Sequence, residues 1–330
     1  MHGARVVMGG DRGMREGDDS GTAGVDPISA RLEAPAGVVG LADLPERWFH
    51  ADIVAFCRPP RGWGVGDLVH DPAFPGRLRG AWGRQLLTTA SAAARLGGPC
   101  PWSPPCAYDP LFRERPALKG LETPKPYVIA ADPAPGCPDR MALRLTLFGF
   151  ATDWLESAAD AWILALRGGV AMPNGLHAAL EPLDRRVTIH DGLTPPPPPA
   201  AVLLRFVTPL CLRRGGTTHG EIASLFASLG NRLSGLSRWQ DSTLAADWRG
   251  LKHHAATLTI DAAALRPVAW QRHSARQGDT PIRMEGLRGP IALSGDLAPL
   301  WPLLTLGALT HAGSHAAQGL GRYTLEPLAI

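Results

Sequence analysis

The residues best suited to chemistry lie near the C-terminal end, in the stretch from Gly307 to Tyr323, which reads GALTHAGSHAAQGLGRY. Gly313, Gly319 and Gly321 crowd around His311 and His315. Glycine lets a backbone approach another backbone or a phosphate, because no Cβ intervenes. Successive exposed N–H groups in such a loop form an anion-binding concavity. Histidine changes protonation near neutral pH, so it can take or give a proton beside a bound anion. The loop precedes a short terminal strand, Tyr323 to Leu325, and does not follow a first strand. It therefore does not match the dinucleotide fingerprint. It fits a loop that grips RNA or packs against a neighbouring domain.

Arginine is the second chemical signal. Between Ala201 and Pro290 there are twelve Lys/Arg against six Asp/Glu, nearly all of the cations arginine. Arginine suits bidentate phosphate contacts and base stacking, although an arginine-rich solvated surface gives the same composition. Arg272, Ser274 and Arg276 would share one face of a strand, forming a track for a backbone or simply a charged surface strand. In the first half, Leu78, Trp82 and Leu86 recur at helical spacing with Arg77 and Arg84 elsewhere on the wheel. The spacing predicts a basic amphipathic helix. Trp239, Trp248 and Trp270 could stack on bases, but tryptophans at such edges are more simply core.

The totals set bounds. At 330 residues, 45% apolar, the chain is long enough for two ordinary domains. A net charge of +3 is not that of a protein coated in positive charge. Five widely spaced cysteines do not make a secreted disulfide framework. The start of the chain has no signal pattern, and no apolar run reaches the roughly 18 residues of a membrane helix. These features point to a cytoplasmic protein without a membrane partner. Cys100 and Cys106 are spaced C-x5-C, with Cys57 and Cys137 elsewhere. That is not the usual zinc pairing, so these four either hold a structural zinc or pack as small apolar thiols. No cofactor is expected.

The elements that must position these residues fall in two series. Residues 1–25 read as a disordered leader. Leu32–Val39 and Asp52–Cys57 read as strands, followed by the basic helix. Residues 97–140 carry eleven prolines and form an irregular insertion with a strand at Pro126–Ala131. A strand at Met141–Phe150 and a helix at Ser157–Arg167 follow. The proline run Pro195–Pro199 marks a boundary between a domain at 26–194 and one at 195–330. Beyond it come a strand (Ala201–Thr208), a helix (His219–Trp239), strands at His254–Ile260 and Val268–Ser274, and a strand pair or turn at Gly286–Ser294. A helix at Leu297–Leu309 then leads into the glycine loop, 313–321. The order is that of a ferredoxin-like domain.

Four segments carry a family resemblance. They are GRLRGAWG at 76–83; CPWSPPCAYDPLF at 100–112 with KPYV at 125–128; RFVTPL at 205–210 with Leu233–Trp239; and WQRHSARQ at 270–277 running on to GLRG at 286–289 and the glycine loop. In this order the chain resembles the CRISPR repeat-processing endoribonucleases of the RAMP superfamily. The resemblance implies an α+β protein with two tandem ferredoxin-like (RAMP/RRM-like) domains and a C-terminal Gly-rich loop. It implies CRISPR repeat RNA, or its mature crRNA, as partner, other effector-complex subunits besides, and one metal-independent cut. Members of the family it resembles often carry lysine where Ser314 stands, so the resemblance implies either weaker phosphate binding here or transfer of that role to Arg322.

Such a cut uses the ribose 2′-hydroxyl as nucleophile, and leaves a 2′,3′-cyclic phosphate and a 5′-hydroxyl. It needs a base, help for the leaving oxygen, and cations or N–H groups around the phosphorane. His311 is the first candidate base, at the mouth of the loop; the alternative is a histidine that caps helix carbonyls. His70 is the second, in the loop before the basic helix where the family commonly places its base; the alternative is an ordinary loop histidine beside Asp71. Tyr323 would donate to a phosphate or stay half-core. RNA contacts are assigned to Arg77, Arg79, Arg84, Arg272, Ser274, Arg276, Gly313, Ser314, His315, Gln318, Gly319, Gly321 and Arg322. His253 and His254 line the same cleft or sit at a strand edge. The rival reading is a non-catalytic RNA-binding subunit of a CRISPR ribonucleoprotein. An enzyme unrelated to nucleic acid is disfavoured by the lack of a carboxylate-rich or metal-spaced motif.

Overall fold

In the first half of the computed structural model, alternate side chains of strand β1 (Phe49–Cys57) are buried: Ala51, Ile53, Ala55 and Cys57 are fully enclosed, while Asp52, Val54 and Phe56 are half-exposed. That period-2 pattern packs one face of a sheet against helices. Helix α1 (Phe74–Thr88) buries Leu78, Trp82 and Leu86. Strands β2 (Tyr127–Ala134) and β3 (Cys137–Phe148), helix α2 (Leu155–Gly168) and strand β4 (Pro182–Asp191) complete the unit. The sheet runs β2-β3-β1-β4, with every pair antiparallel. Trp82 ties the layers, edge-on to Tyr127 at 4.9 Å and to Trp162 at 6.4 Å between ring centroids.

The second half repeats the plan. Strand β5 (Ala201–Leu210), helix α3 (Ser224–Trp239), strands β6 (Thr259–Asp261), β7 (Arg266–Arg272) and β8 (Ile282–Ser294), helix α4 (Trp301–Thr310) and strand β9 (Tyr323–Pro327) form it. The sheet order is β6-β8-β5-β9, and β7 also pairs with β8. In each half the first strand lies between the last two strands of that half, and the sheets are antiparallel, consistent with a ferredoxin-type fold. The structure describes residues 26–118, 120–214, 217–219, 221–272 and 282–328. The expected leader at 1–25 and the expected RNA contacts Ser274 and Arg276 lie outside the described residues.

The halves share one continuous apolar core. Gly37–Gly40 pairs in parallel with Ser242–Ala245. The Gln240 side chain closes both backbone groups of Phe49, accepting from its N–H at 3.0 Å and donating to its carbonyl at 2.9 Å. Within the proline run, the Pro196 carbonyl accepts from the Trp301 indole at 2.7 Å. Among the described residues no helix is long and apolar enough to cross a membrane.

Several sequence expectations need correction. The segment from Leu32 does not begin a strand. Pro27–Glu33 is a helix, with Pro27 in its first turn and Asp26 capping the Ser29 N–H at 3.1 Å, and only Gly37–Gly40 is extended. The strand expected at His254–Ile260 is a helix, Trp248–Ala255, capped by Asp247, followed by the short β6. His254 thus lies in a last helical turn, its Nε2 2.6 Å from the Asp296 carbonyl. The region 286–294 is neither a pair nor a turn but part of one 13-residue strand. His219 ends a short strand paired with Leu212–Arg214, and α3 starts only at Ser224. The proline-rich insertion encloses β2 and the short helix Tyr108–Phe112. The sequence reading missed β4 altogether, because its residues are polar or exposed on both faces, as an edge strand's are.

Candidate nucleic-acid interface

The glycine loop is shaped by contacts from both halves. Gly313, Gly319 and Gly321 take positive φ values of 75°, 83° and 68°. A Cβ on Gly321 would lie 1.8 Å from the Ala312 carbonyl oxygen, and one on Gly313 2.6 Å from that of Cys211. The backbone pays out its groups pairwise: Ala312 N–H donates to Gly321 O at 2.9 Å, Ser314 N–H to Cys211 O at 2.8 Å, and Gly321 N–H to Pro209 O at 2.8 Å. Thr208 Oγ1 donates to Gly319 O at 2.8 Å and accepts from Arg322 N–H at 2.9 Å. The first half supplies the remaining wall. Gly319 faces Pro75 of α1 and the Ile129 carbonyl of β2, with no space for a side chain. Arg322 grips Asp132 of β2 with both terminal nitrogens, at 2.6 and 2.5 Å.

On this frame His315 is held in left-handed backbone geometry, φ 64° and ψ 21°. Burial, followed by the positive charges of Arg272, Arg213 and Arg79, lowers its pKa to about 4. The imidazole is therefore neutral at pH 7. Arg272 lies at the end of β7 and its Nη1 donates to Gln318 Oε1 at 3.1 Å, so it reaches the loop directly. Its own pKa is lowered, first by burial and then by Arg79, and its buried Nε has no hydrogen-bond partner. Arg79 projects from α1, donating from Nε to the Tyr127 hydroxyl at 2.7 Å and stacking over Phe112 at 4.8 Å. The positive charges of three arginines, from three elements and both halves, thus act on one neutral histidine. Like charges gathered in a partly desolvated site are costly without an anion, and a phosphate diester would relieve that cost.

The other candidate residues divide by placement. His70 is exposed at the end of the short helix Val65–Val69, on the approach to α1. Gly76 of α1 faces Gln318, with its Cβ position 4.0 Å away. Arg84 is exposed on the same helix, whereas Arg77 is ion-paired with Asp71. His311 is 2% exposed at φ 64°, with its pKa well below the ordinary histidine value through burial and then Arg322 and Arg232. Tyr323 is equally enclosed, its hydroxyl donating to the Leu304 carbonyl at 2.7 Å, and burial raises its pKa. Neither His311 nor Tyr323 meets the surface, which corrects their assignment as groups that touch RNA. Arg322 is engaged by Asp132 across the halves.

The sequence reading missed Arg213, Tyr127 and Asp132. An arginine doublet, Arg213-Arg214, directly before Gly215-Gly216 was the available signal for the first. The four cysteines do not converge on a zinc. Cys106 N–H donates to Cys100 Sγ at 3.2 Å, but Cys57 points into the core from β1, its thiol pushed up to about 12 by burial, and Cys137 starts β3. The metal-competent cluster among the described residues uses none of them.

Residues 204–323, from the middle of β5 through the whole loop to Tyr323, match the family model of the CRISPR-associated endoribonuclease Cas6. Residues 64–186 match a second model, described as an N-terminal domain. The Cas6 match encloses Arg213, Arg272 and His315, and the second match encloses Arg79, so the converging site draws on both. Among solved structures, the chain is similar to one in a partial Cas6-RT-Cas1–Cas2 complex, at 14% identity and a TM-score of 0.43, over 86% of this chain and 46% of that one. A chain of the Cas6-RT-Cas1–Cas2 complex matches at the same identity and score, over 86% of this chain and 29% of that one. The CRISPR endoribonuclease Cse3 bound to a 19-nucleotide RNA matches at 13% identity and a TM-score of 0.26, over 85% of this chain and all of that one. The chain spans less than half the length of the first two. No curated protein matches the sequence.

Proposed function

We propose that this chain is an endoribonuclease that processes CRISPR repeat RNA, built as two tandem ferredoxin-like domains at 26–194 and 195–330. The observation that carries the reading is the seam at the glycine loop inside the segment that matches Cas6, where Arg272 of β7 donates to Gln318, three residues from His315, and α1, which bears Arg79, faces the same Gln318. The RNA backbone would run along the seam between the halves, over α1, β7 and the glycine loop. A repeat hairpin would offer both a shaped backbone and splayed bases for such a surface.

In this reading the neutral His315 imidazole removes the proton of the 2′-hydroxyl next to the scissile phosphate. The oxygen attacks phosphorus, and the bond to the 5′-oxygen breaks. Arg272, with Arg213 and Arg79, stabilises the extra negative charge on the phosphorane. The 5′-oxygen leaves and takes a proton from water or from exposed His70. The products are a 2′,3′-cyclic phosphate and a 5′-hydroxyl, and no step requires a metal. Mature crRNA and the other subunits of an effector complex are the proposed partners.

The test is cleavage of the cognate repeat RNA in EDTA by wild type, His315→Asn and His70→Ala. Asparagine tolerates the left-handed backbone at 315, so loss of cutting with retained binding names His315 as the base. Loss only in His70→Ala moves the role to His70. Tight binding by wild type with no cut would identify a non-catalytic RNA-binding subunit.

A further inference from the structure

A second cluster lies on the opposite edge of the first sheet. His50 of β1 stands directly across from His190 of β4, and their rings stack with centroids 4.3 Å apart and planes 7° from parallel. Asp52, two residues along β1, shares their face. Its Oδ2 lies 3.6 Å from His190 Nε2. Its other oxygen accepts from Thr146 Oγ1 of β3 at 2.5 Å. One ligand atom from each of His50, Asp52 and His190 lies within 4.8 Å of the others.

Two features distinguish this cluster from a chance surface grouping. His50 is 3% exposed, yet its buried Nδ1 has no hydrogen-bond partner. A buried nitrogen without a partner is costly unless something completes it. The carboxylate of Asp52 is also oriented from behind by a hydroxyl, the arrangement by which outer partners fix a metal ligand. His190 and Asp52 remain partly open, with side-chain exposures of 38% and 14%, leaving room for water as a further ligand.

We propose that His50, Asp52 and His190 form a binding site for a divalent first-row metal ion, zinc above all. Two imidazoles and one carboxylate suit such a borderline ion, which takes nitrogen and oxygen at about 2.0–2.2 Å. Small ring rotations that tilt the histidines out of parallel draw the three atoms together around it. Magnesium and calcium prefer all-oxygen sets and are excluded by the two nitrogens. The ion would pin edge strand β4 to β1. The site lies on β1 and β4, with β3 between it and β2, which bears Tyr127 and Asp132, so it is structural and separate from the RNA seam. It does not rest on the functional reading above.

The test uses the full chain, stripped of metal and dialysed against zinc or cobalt alone. Bound metal is counted by elemental analysis, and cobalt coordination is read by its visible absorption. Wild type binds one ion per chain, with the absorption of a nitrogen- and oxygen-ligated cobalt, and its melting temperature rises. His190→Ala and Asp52→Asn each weaken binding at least about tenfold, and Thr146→Val weakens it less. Both ligand variants alter partly exposed positions, and circular dichroism of the metal-free proteins confirms that they fold. Failure of wild type to bind either ion, or equal binding by wild type and His190→Ala, overturns the proposal.

Discussion

Arg322 and Asp132 form a two-point ion pair across the halves of the protein, with nitrogen–oxygen distances of 2.6 and 2.5 Å. One partner ends the glycine loop and the other lies in β2, so the pair locks the loop against the first sheet. Asp132→Asn is expected to lower stability by about 1 kcal/mol, since the pair is only partly buried. A double-mutant cycle with Arg322→Gln, read by urea unfolding, should show that the two losses do not add.

The arginine seam makes a salt-dependent prediction. Arg272→Gln and Arg79→Gln should each weaken repeat-RNA binding and reduce the slope of log affinity against log salt by about one. Arg77→Gln should change that slope less, because Arg77 is ion-paired with Asp71. Filter binding over a salt series decides the matter; equal slopes for wild type and Arg272→Gln would remove Arg272 from the interface.

Two glycines in contact with one another's elements should respond in opposite ways. At Gly319 an added Cβ meets Pro75 Cβ at 2.4 Å and the Ile129 carbonyl at 2.6 Å, on a backbone with φ 83°. Gly319→Ala should cost more than about 2 kcal/mol. At Gly76, in helical geometry, the same atom comes no closer than 4.0 Å to Gln318. Gly76→Ala should be neutral or stabilising by up to about 1 kcal/mol, because glycine disfavours helix. Thermal unfolding of both variants checks the contrast.

Acid should destabilise the fold through two loop histidines. His311 and His315 are both held below the ordinary value of 6.5, His315 at about 4. The unfolded chain therefore binds protons below pH 6.5 that the native chain refuses. Their contribution to stability is full above 6.5 and is lost as pH falls towards 4. His315→Asn should flatten this slope in denaturation midpoints measured between pH 7 and 4.

Tyr323 tests whether the core assignment is right. Tyr323→Phe removes its bond to the Leu304 carbonyl and should cost about 1 kcal/mol. Repeat-RNA cleavage by the folded variant should match wild type, and a selective loss of cutting would return Tyr323 to the reaction.

The legible parts of the chain were those with a strong local pattern. Leu225, Leu229, Leu233 and Leu236 marked α3, and the alternation in β1 marked a half-buried strand. The glycine spacing identified the loop as a place of close approach, and Arg79 and Arg272 were visible as cations on regular elements. What stayed hidden depends on distant packing. Strand β4 leaves its apolar residues Leu183, Val187 and Ile189 exposed and takes its order from hydrogen bonds to β1. His311 and His315 look alike in sequence, four residues apart in one loop. Only the fold turns the first inward beneath Arg232 and Arg322 and leaves the second among Arg79, Arg213 and Arg272. The pairing of His50 with His190 spans 140 positions and exists only through strand register.

The contact of Gly319 with Pro75 and Ile129 has a consequence for how this protein can change over generations. The two halves are not exchangeable modules. A chimera that joins this C-terminal half to a foreign partner would need a small, flat surface at 75 and 129 and an acid at 132, or the loop would lose its shape. Substitutions at these positions should therefore drift together across the seam, and recombination between relatives should favour exchange of both halves at once.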